Sequence, residues 1–257
     1  MTSMSTAPSA DWRLAVVLVV LTAAAVVISR VGGLGVEREQ AVAAARAVVQ
    51  LAAVSAVIAL VLQSVTWSIG FVLLMFTVAT LTSTRRLGLP APAALWVGAA
   101  VGAGAVPVVG ICLASGVVPF NGPGVLPVAG IIIGGAMTAA TLTGRRAFQE
   151  LQAQTGTYEA ALAVGLTSSQ ATRLVVEPSA REALVPGIDQ TRTVGLVTLP
   201  GAFIGVLLGG GTALEAGAAQ VLVLVGLLAA QAATAAVVLH LVAGRRILRD
   251  DLRGLPR

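Results

Sequence analysis

Residues 218–243, AAQVLVLVGLLAAQAATAAVVLHLVA, carry a single ionisable side chain, His240, and run directly into the basic tail GRRILRDDLRGLPR at 244–257. A helix needs about 20 apolar residues to cross the hydrocarbon of a bilayer. The stretch therefore reads as a transmembrane helix closed by charge. The pattern recurs at roughly 14–29, 41–62, 67–82, 93–118, 125–143 and 193–210, which makes seven apolar segments. The 257 residues are 57% hydrophobic and 11% charged, mainly Ala, Val and Leu among the apolar types, with 29 glycines. Small side chains suit helices packed closely in lipid better than the alternation of a β-barrel. The expected fold is all-α, a polytopic bundle of about seven transmembrane helices forming one domain over 1–257 in a cell membrane.

All 16 basic residues are arginine. Without lysine there is no Schiff-base chemistry and no phosphate-binding loop ending in Gly-Lys-Ser/Thr, so the chain does not bind ATP through such a loop. No cofactor is expected. A net charge of +5 next to apolar helices reflects membrane orientation rather than nucleic acid binding. Cys112 is the one cysteine, so an intrachain disulfide is impossible.

Seven spans put the termini on opposite sides. With the 244–257 tail inside, alternation also places 30–40, 83–92 and 144–192 inside. Fifteen of the 16 arginines then lie on the inner half, and Arg13, in a short outer tail at 1–13, is the exception. Positive residues stay on the cytoplasmic side because they translocate poorly. The expected topology is N-out, C-in. A rival reading takes residues 1–30 as a cleaved signal peptide, which leaves the remaining topology unchanged.

The long polar connection at 144–192 stands out, because connections of that length usually have a function. Phe148, Leu151, Tyr158, Leu162 and Leu166 recur at helical spacing with Gln and Glu between them, which describes an amphipathic helix. The helix should turn at Gly165, and Thr167 or Ser168 can cap the next one. Within this region Glu159, Ala160 and Ala161 are followed by Gly165, Val175 and Pro178. That order resembles the cytoplasmic coupling loop of ABC-transporter permeases. In such permeases the loop docks in a groove of the ATPase subunit, so the resemblance implies a cytoplasmic ABC ATPase partner and gives Glu159, Ala160, Ala161, Gly165 and Pro178 the coupling role. Glu177 departs from the Leu often found before the Pro.

The flanks narrow the match. LPVAGIIIGGAMTAATL (126–142), REALVPGIDQTRTVGLVTLPGAFIGVLLGG (181–210) and ARAVVQL (45–51) resemble segments of the FetB/YbbM permease family, associated with bacterial iron export and with plant relatives linked to aluminium tolerance. The resemblance runs over most of 30–240. It implies a permease subunit that pairs with a separate ATPase, two copies of each, in an exporter of the metal type. Two departures are Gly134-Gly135-Ala136-Met137, where the family tends to have Gly-Asn-Ala-Met, and Pro200-Gly201-Ala202-Phe203, where it tends to have Pro-Gly-Met-Met. They remove an amide and two thioethers, the groups most able to contact a metal.

No intramembrane cluster of His, Cys, Asp or Glu suggests a metal site. Arg46 and Gln50, one turn apart in the second segment, and Thr138 are candidates for a translocation path. Thr141, Thr143, Gln231 and Thr234 could also line it, although hydroxyls equally satisfy neighbouring backbones. Pro200 cannot donate to the carbonyl of Leu196, and Gly201 follows it, so the sixth segment should be kinked or broken there and could act as a hinge. A secondary transporter or channel is the alternative, and it would normally need intramembrane carboxylates. An intramembrane hydrolase would need Ser115 and His240, which the topology places at opposite faces.

Overall fold

The computed structural model describes residues 11–256. Among these, the α-helices are α1 (Trp12–Val31), α2 (Glu37–Leu62), α3 (Val65–Arg86), α4 (Ala94–Ala114), α5 (Gly122–Ala153), α6 (Thr155–Ala163), α7 (Ser168–Ala180), α8 (Val185–Thr193), α9 (Gly201–Leu208) and α10 (Ala213–Ala243). The helices α1, α2, α3, α4 with the 3-10 turn before it, α5 and α10 are long and apolar enough to cross a bilayer. The protein is a multi-pass membrane helix bundle. Of the outer tail expected at 1–13, residues 1–10 lie outside the described residues, as does Arg257 of the basic tail.

The chain divides into two units after Leu60. In the first, the Asp11 side chain caps α1 by accepting from the amides of Arg13 and Leu14. Ser29 Oγ donates to Gln40 Oε1 at 2.8 Å and ties α1 to α2. Apolar side chains cover nearly every face of both helices, and most of them are exposed.

The second unit is built on α3, α4, α5 and α10. Small residues set how closely they pack. A Cβ at Gly104 of α4 would overlap the Ala230 carbonyl and the Thr234 hydroxyl of α10, so the two backbones come together only because Gly104 has no side chain. Between α3 and α5, Ser83 Oγ donates to the Met137 carbonyl at 3.1 Å and lies 3.0 Å from Thr141 Oγ1. Interhelical hydroxyl bonds of this kind take the place of a hydrophobic drive that lipid does not supply. Around them Val97, Ala100, Val101, Ala129, Ile132, Ala136 and Ala230 are fully enclosed.

Contacts along the helices give their directions. Gly98 meets Thr80 and Gly102 meets Phe76, so α4 runs antiparallel to α3; Gly226 meets Ile132 and Gly135 meets Leu227, so α10 runs parallel to α5. Two parallel neighbours require the chain between them to return to its starting end. Residues 185–212 make that return without a long helix. The span expected at 193–210 is instead the end of α8, an irregular stretch with a Val194–Thr198 bridge, and the eight-residue α9. The physical reason lies in Pro200 and Gly201: Pro200 has no amide to carry a helix past Leu196, and its extended φ −71°, ψ 157° starts α9 afresh.

Candidate functional site

The described arginines of α3, α5 and the tail after α10 gather at one end of the second unit: Arg85 and Arg86 close α3, Arg145 and Arg146 follow the apolar part of α5, and Arg245, Arg246, Arg249 and Arg253 follow α10. The opposite end, at 61–68, 113–124 and 206–216, carries Glu215 as its one charged residue. The insert sits at the arginine end.

That insert is a helix-turn-helix. Helix α6 ends in a Schellman motif, with Gly165 N–H donating to the Leu162 carbonyl at 2.9 Å and Leu166 N–H to the Ala161 carbonyl at 3.0 Å. Gly165 holds φ +94° there, a conformation a side chain would strain. Helix α7 then starts at a capping box: Gln170 N–H donates to Thr167 Oγ1 at 3.3 Å, and Thr167 N–H donates to Gln170 Oε1 at 2.9 Å. The expected Thr167 cap is thus in place, with Gln170 completing it.

One face of the insert is anchored and the other is free. Tyr158, Ala161, Ala171, Thr172, Val175 and Val176 are buried, and α7 packs on both α5 and α10. Glu159, Ala160, Ala163, Gly165 and Pro178 are exposed, and Val164 at the turn is 77% exposed. Of the coupling candidates, Ala161 therefore seats α6, while Glu159, Ala160 and Gly165 lie on its outer surface. Arg173 Nη2 lies 3.4 Å from His240 Nδ1 of α10, and Arg173 Nη1 lies 3.9 Å from Glu177. Ser115, at the end of α4, and His240 sit at opposite ends of the unit.

The tail after α10 clamps the insert. Arg245, at φ +56°, donates to the carbonyls of Arg253 at 3.0 Å, Leu255 at 3.1 Å and Pro256 at 3.3 Å. Tyr158 Oη donates to the Pro256 carbonyl at 2.8 Å. Asp251 accepts from Gln152 of α5 and from Arg249 Nε and Nη2, both at 2.6 Å. The Arg249 hydrogen bonds hold the Asp251 carboxyl below the ordinary carboxylate range. In the sequence alone this tail reads only as an orientation signal. The available clue was Tyr158, the one tyrosine in the chain, placed in a polar insert where its hydroxyl needs a partner.

The path and hinge candidates fall on different helices. Arg46 and Gln50 are exposed on α2 in the first unit. Thr138 is exposed on α5, and its hydroxyl donates to the carbonyl of Gly134 at 3.0 Å. Thr141 Oγ1 donates to the Met137 carbonyl at 2.9 Å. Thr143 and Thr234 are buried with hydroxyls that have no hydrogen-bond partner among the described residues. Gln231, partly buried on α10, lies where a Cβ at Gly187 of α8 would be, so the absence of a side chain at Gly187 is what lets α8 sit on α10. Pro200 and Gly201 form the break before α9, which packs on α10. No three His, Cys, Asp or Glu side chains among the described residues gather as a metal site.

Residues 12–247 match the family described as "Uncharacterised protein family (UPF0014)". The chain is 35% identical over 206 residues to "UPF0014 membrane protein STAR2" of Oryza sativa subsp. japonica, covering 79% of this chain and 72% of the relative. It is 31% identical over 202 residues to "Protein ALUMINUM SENSITIVE 3" of Arabidopsis thaliana, covering 78% and 74%. It is 30% identical over 199 residues to "Probable iron export permease protein FetB" of Escherichia coli (strain K12), covering 77% and 76%. No solved structure matches.

Proposed function

The chain belongs to the UPF0014 family, and from that membership and the geometry of its insert we propose that it is the membrane-spanning subunit of an ABC-type exporter. A separate cytoplasmic subunit hydrolyses ATP and docks on the free face of α6. The observation that carries the reading is the two-sidedness of the insert: Tyr158 is tied to the tail through the Pro256 carbonyl and α7, with Val175 buried, packs on α5 and α10, while Glu159, Ala160 and Val164 are exposed. A rigid knob held to the ends of the long helices transmits a push from its partner into them. On this reading the arginine end is cytoplasmic, and the tail at 244–257 braces the knob.

The cargo is a metal ion, as the name of the Escherichia coli relative suggests for that protein. Thr138, Arg46 and Gln50 belong to the path and Pro200-Gly201 to its hinge. Two permease copies pair, each with its own ATPase. The largely exposed apolar faces of α1 and α2 suit lipid and a second copy alike.

Co-expression of the chain with its candidate ATPase tests the reading. The Ala160→Arg and Glu159→Arg variants, both at exposed positions of α6, should fold, insert and lose co-purification of the ATPase by about tenfold or more, equivalent to about 1.4 kcal/mol of docking energy. Metal efflux that persists in vesicles without ATP would instead establish a secondary transporter.

A further inference from the structure

A cavity of about 660 Å³ opens at the arginine end of the second unit, between the end of α3, the C-terminal part of α5 and the chain after α10. Arg85, Arg86, Arg145, Arg146 and Arg249 line it, and no carboxylate does. Two of the five have counter-charges beside them: Glu182 lies 3.6 Å from Arg146, and Asp251 lies 2.6 Å from Arg249. Arg85, Arg86 and Arg145 have no ion pair among the described residues. Like charges held in a concave wall repel one another and focus their field into the opening. An anion in the cavity relieves that repulsion.

Depth and wall chemistry select the kind of anion. Arg85 and Arg86 end α3, and the α5 pair follows directly on its apolar stretch, so these guanidinium groups lie where both helices leave the hydrocarbon. At the same end, Arg246 stacks 4.7 Å from the Trp96 ring centroid. An aromatic and basic pair of this kind belongs at headgroup level. Leu87, Leu142 and Phe148 supply an apolar part of the wall. Guanidinium forks match phosphate oxygens two at a time.

We propose that this cavity binds the phosphate headgroup of an anionic phospholipid from the adjacent leaflet, with Arg85, Arg86 and Arg145 as its ligands. Free inorganic phosphate shares the chemistry, but it has no use for the apolar wall or for a site at the membrane boundary.

Native mass spectrometry of the detergent-solubilised chain, titrated with phosphatidylglycerol and with phosphatidylcholine, tests the site. The parent should retain phosphatidylglycerol preferentially. Arg85→Gln, Arg86→Gln and Arg145→Gln combined should weaken it by about fivefold per arginine, on the order of 100-fold together. Arg181→Gln, Arg192→Gln and Arg253→Gln combined change the charge equally outside the cavity and should leave binding near the parent value. Equal loss in this control would overturn the site in favour of diffuse attraction. Displacement of the lipid by millimolar inorganic phosphate would assign the cavity to a soluble anion. No lipid preference, together with loss of ATPase co-purification in the first triple variant, would assign it to an acidic protein face. If the glutamine variant does not fold, the three corresponding Arg→Lys changes keep the charge and remove the forks; phosphatidylglycerol should then bind several-fold more weakly, and unchanged binding would overturn the assignment.

Discussion

Helix α10 packs against α8 and α9, and residues 194–208 are about as apolar as α10, yet α10 is a continuous helix of 31 residues and that stretch is irregular up to Pro200 and helical only over α9. Helix α10 opens on a complete capping box between Thr212 and Glu215 and carries no proline. Its buried positions, from Ala216 to Ala243, make it the helix against which α4, α5, α7 and α9 all pack. The return segment has Pro186, Gly187, Gly195, Pro200 and Gly201, and α9 has no buried residue. Leu196, Val197 and Leu199 are 91%, 76% and 61% exposed, so the stretch is apolar without being packed. Hydropathy places both regions in a membrane, but proline position and burial separate a continuous buried helix from a broken and exposed segment.

Glycine substitutions should break the two regions apart most sharply. Gly104→Ala drives a methyl group into the Ala230 carbonyl and Thr234. Neither is the flexible end of a side chain, so thermal melting in detergent should show a loss of about 1–3 kcal/mol. Gly205→Ala in α9 meets nothing within 4 Å and replaces a poor helix former, so it should gain about 0.5–1 kcal/mol. Equal losses at the two sites would mean that the return segment is packed as tightly as α10.

Much of this was legible in the sequence. The long helices follow from apolar length alone, and the insert follows from the helical spacing of Phe148, Leu151 and Tyr158, all buried as that spacing requires. Pro200 announced the break, but the sequence could not say that α8 would stop at Thr193, where Val194 turns to an extended φ −61°, ψ 137°, and leave seven residues irregular. The tail clamp was invisible as well. Arg245 binds main-chain carbonyls of residues 253, 255 and 256, and carbonyls are the same in every sequence. The arginine-lined cavity joins residues more than 160 positions apart, from Arg85 to Arg249, a proximity set by the parallel run of α3, α5 and α10.

Pro200→Ala tests whether the broken region is the moving one. Alanine restores an amide that can reach Leu196, so the irregular stretch can join α9 in one helix. If transport requires the break, a bias of about 1.4 kcal/mol toward the joined helix slows coupled transport about tenfold, with the melting temperature unchanged or higher. Intact transport in vesicles would make the break a static kink.

Tyr158→Phe probes the anchored side of the insert. It deletes the 2.8 Å hydrogen bond to the Pro256 carbonyl and should cost about 1 kcal/mol, read as faster hydrogen exchange across 245–256 while the α10 core stays protected. Exchange that rose equally in α10 would show that clamp and strut open together.

Acid should produce the smallest and most local change. Arg249 holds the Asp251 carboxyl below its ordinary range, which means the folded clamp favours the ionised form. Its contribution is complete at neutral pH and is lost as the pH falls through the depressed value, where the carboxyl takes up a proton and gives up its ionic bonds to Arg249. Protection factors in 249–256, taken against the intrinsic amide rate at each pH, should therefore fall at low acid pH and stay constant from pH 6 to 8. Asp251→Asn should show the lower protection throughout, without the acid step. An acid step retained in that variant would show that Asp251 is not the group responsible.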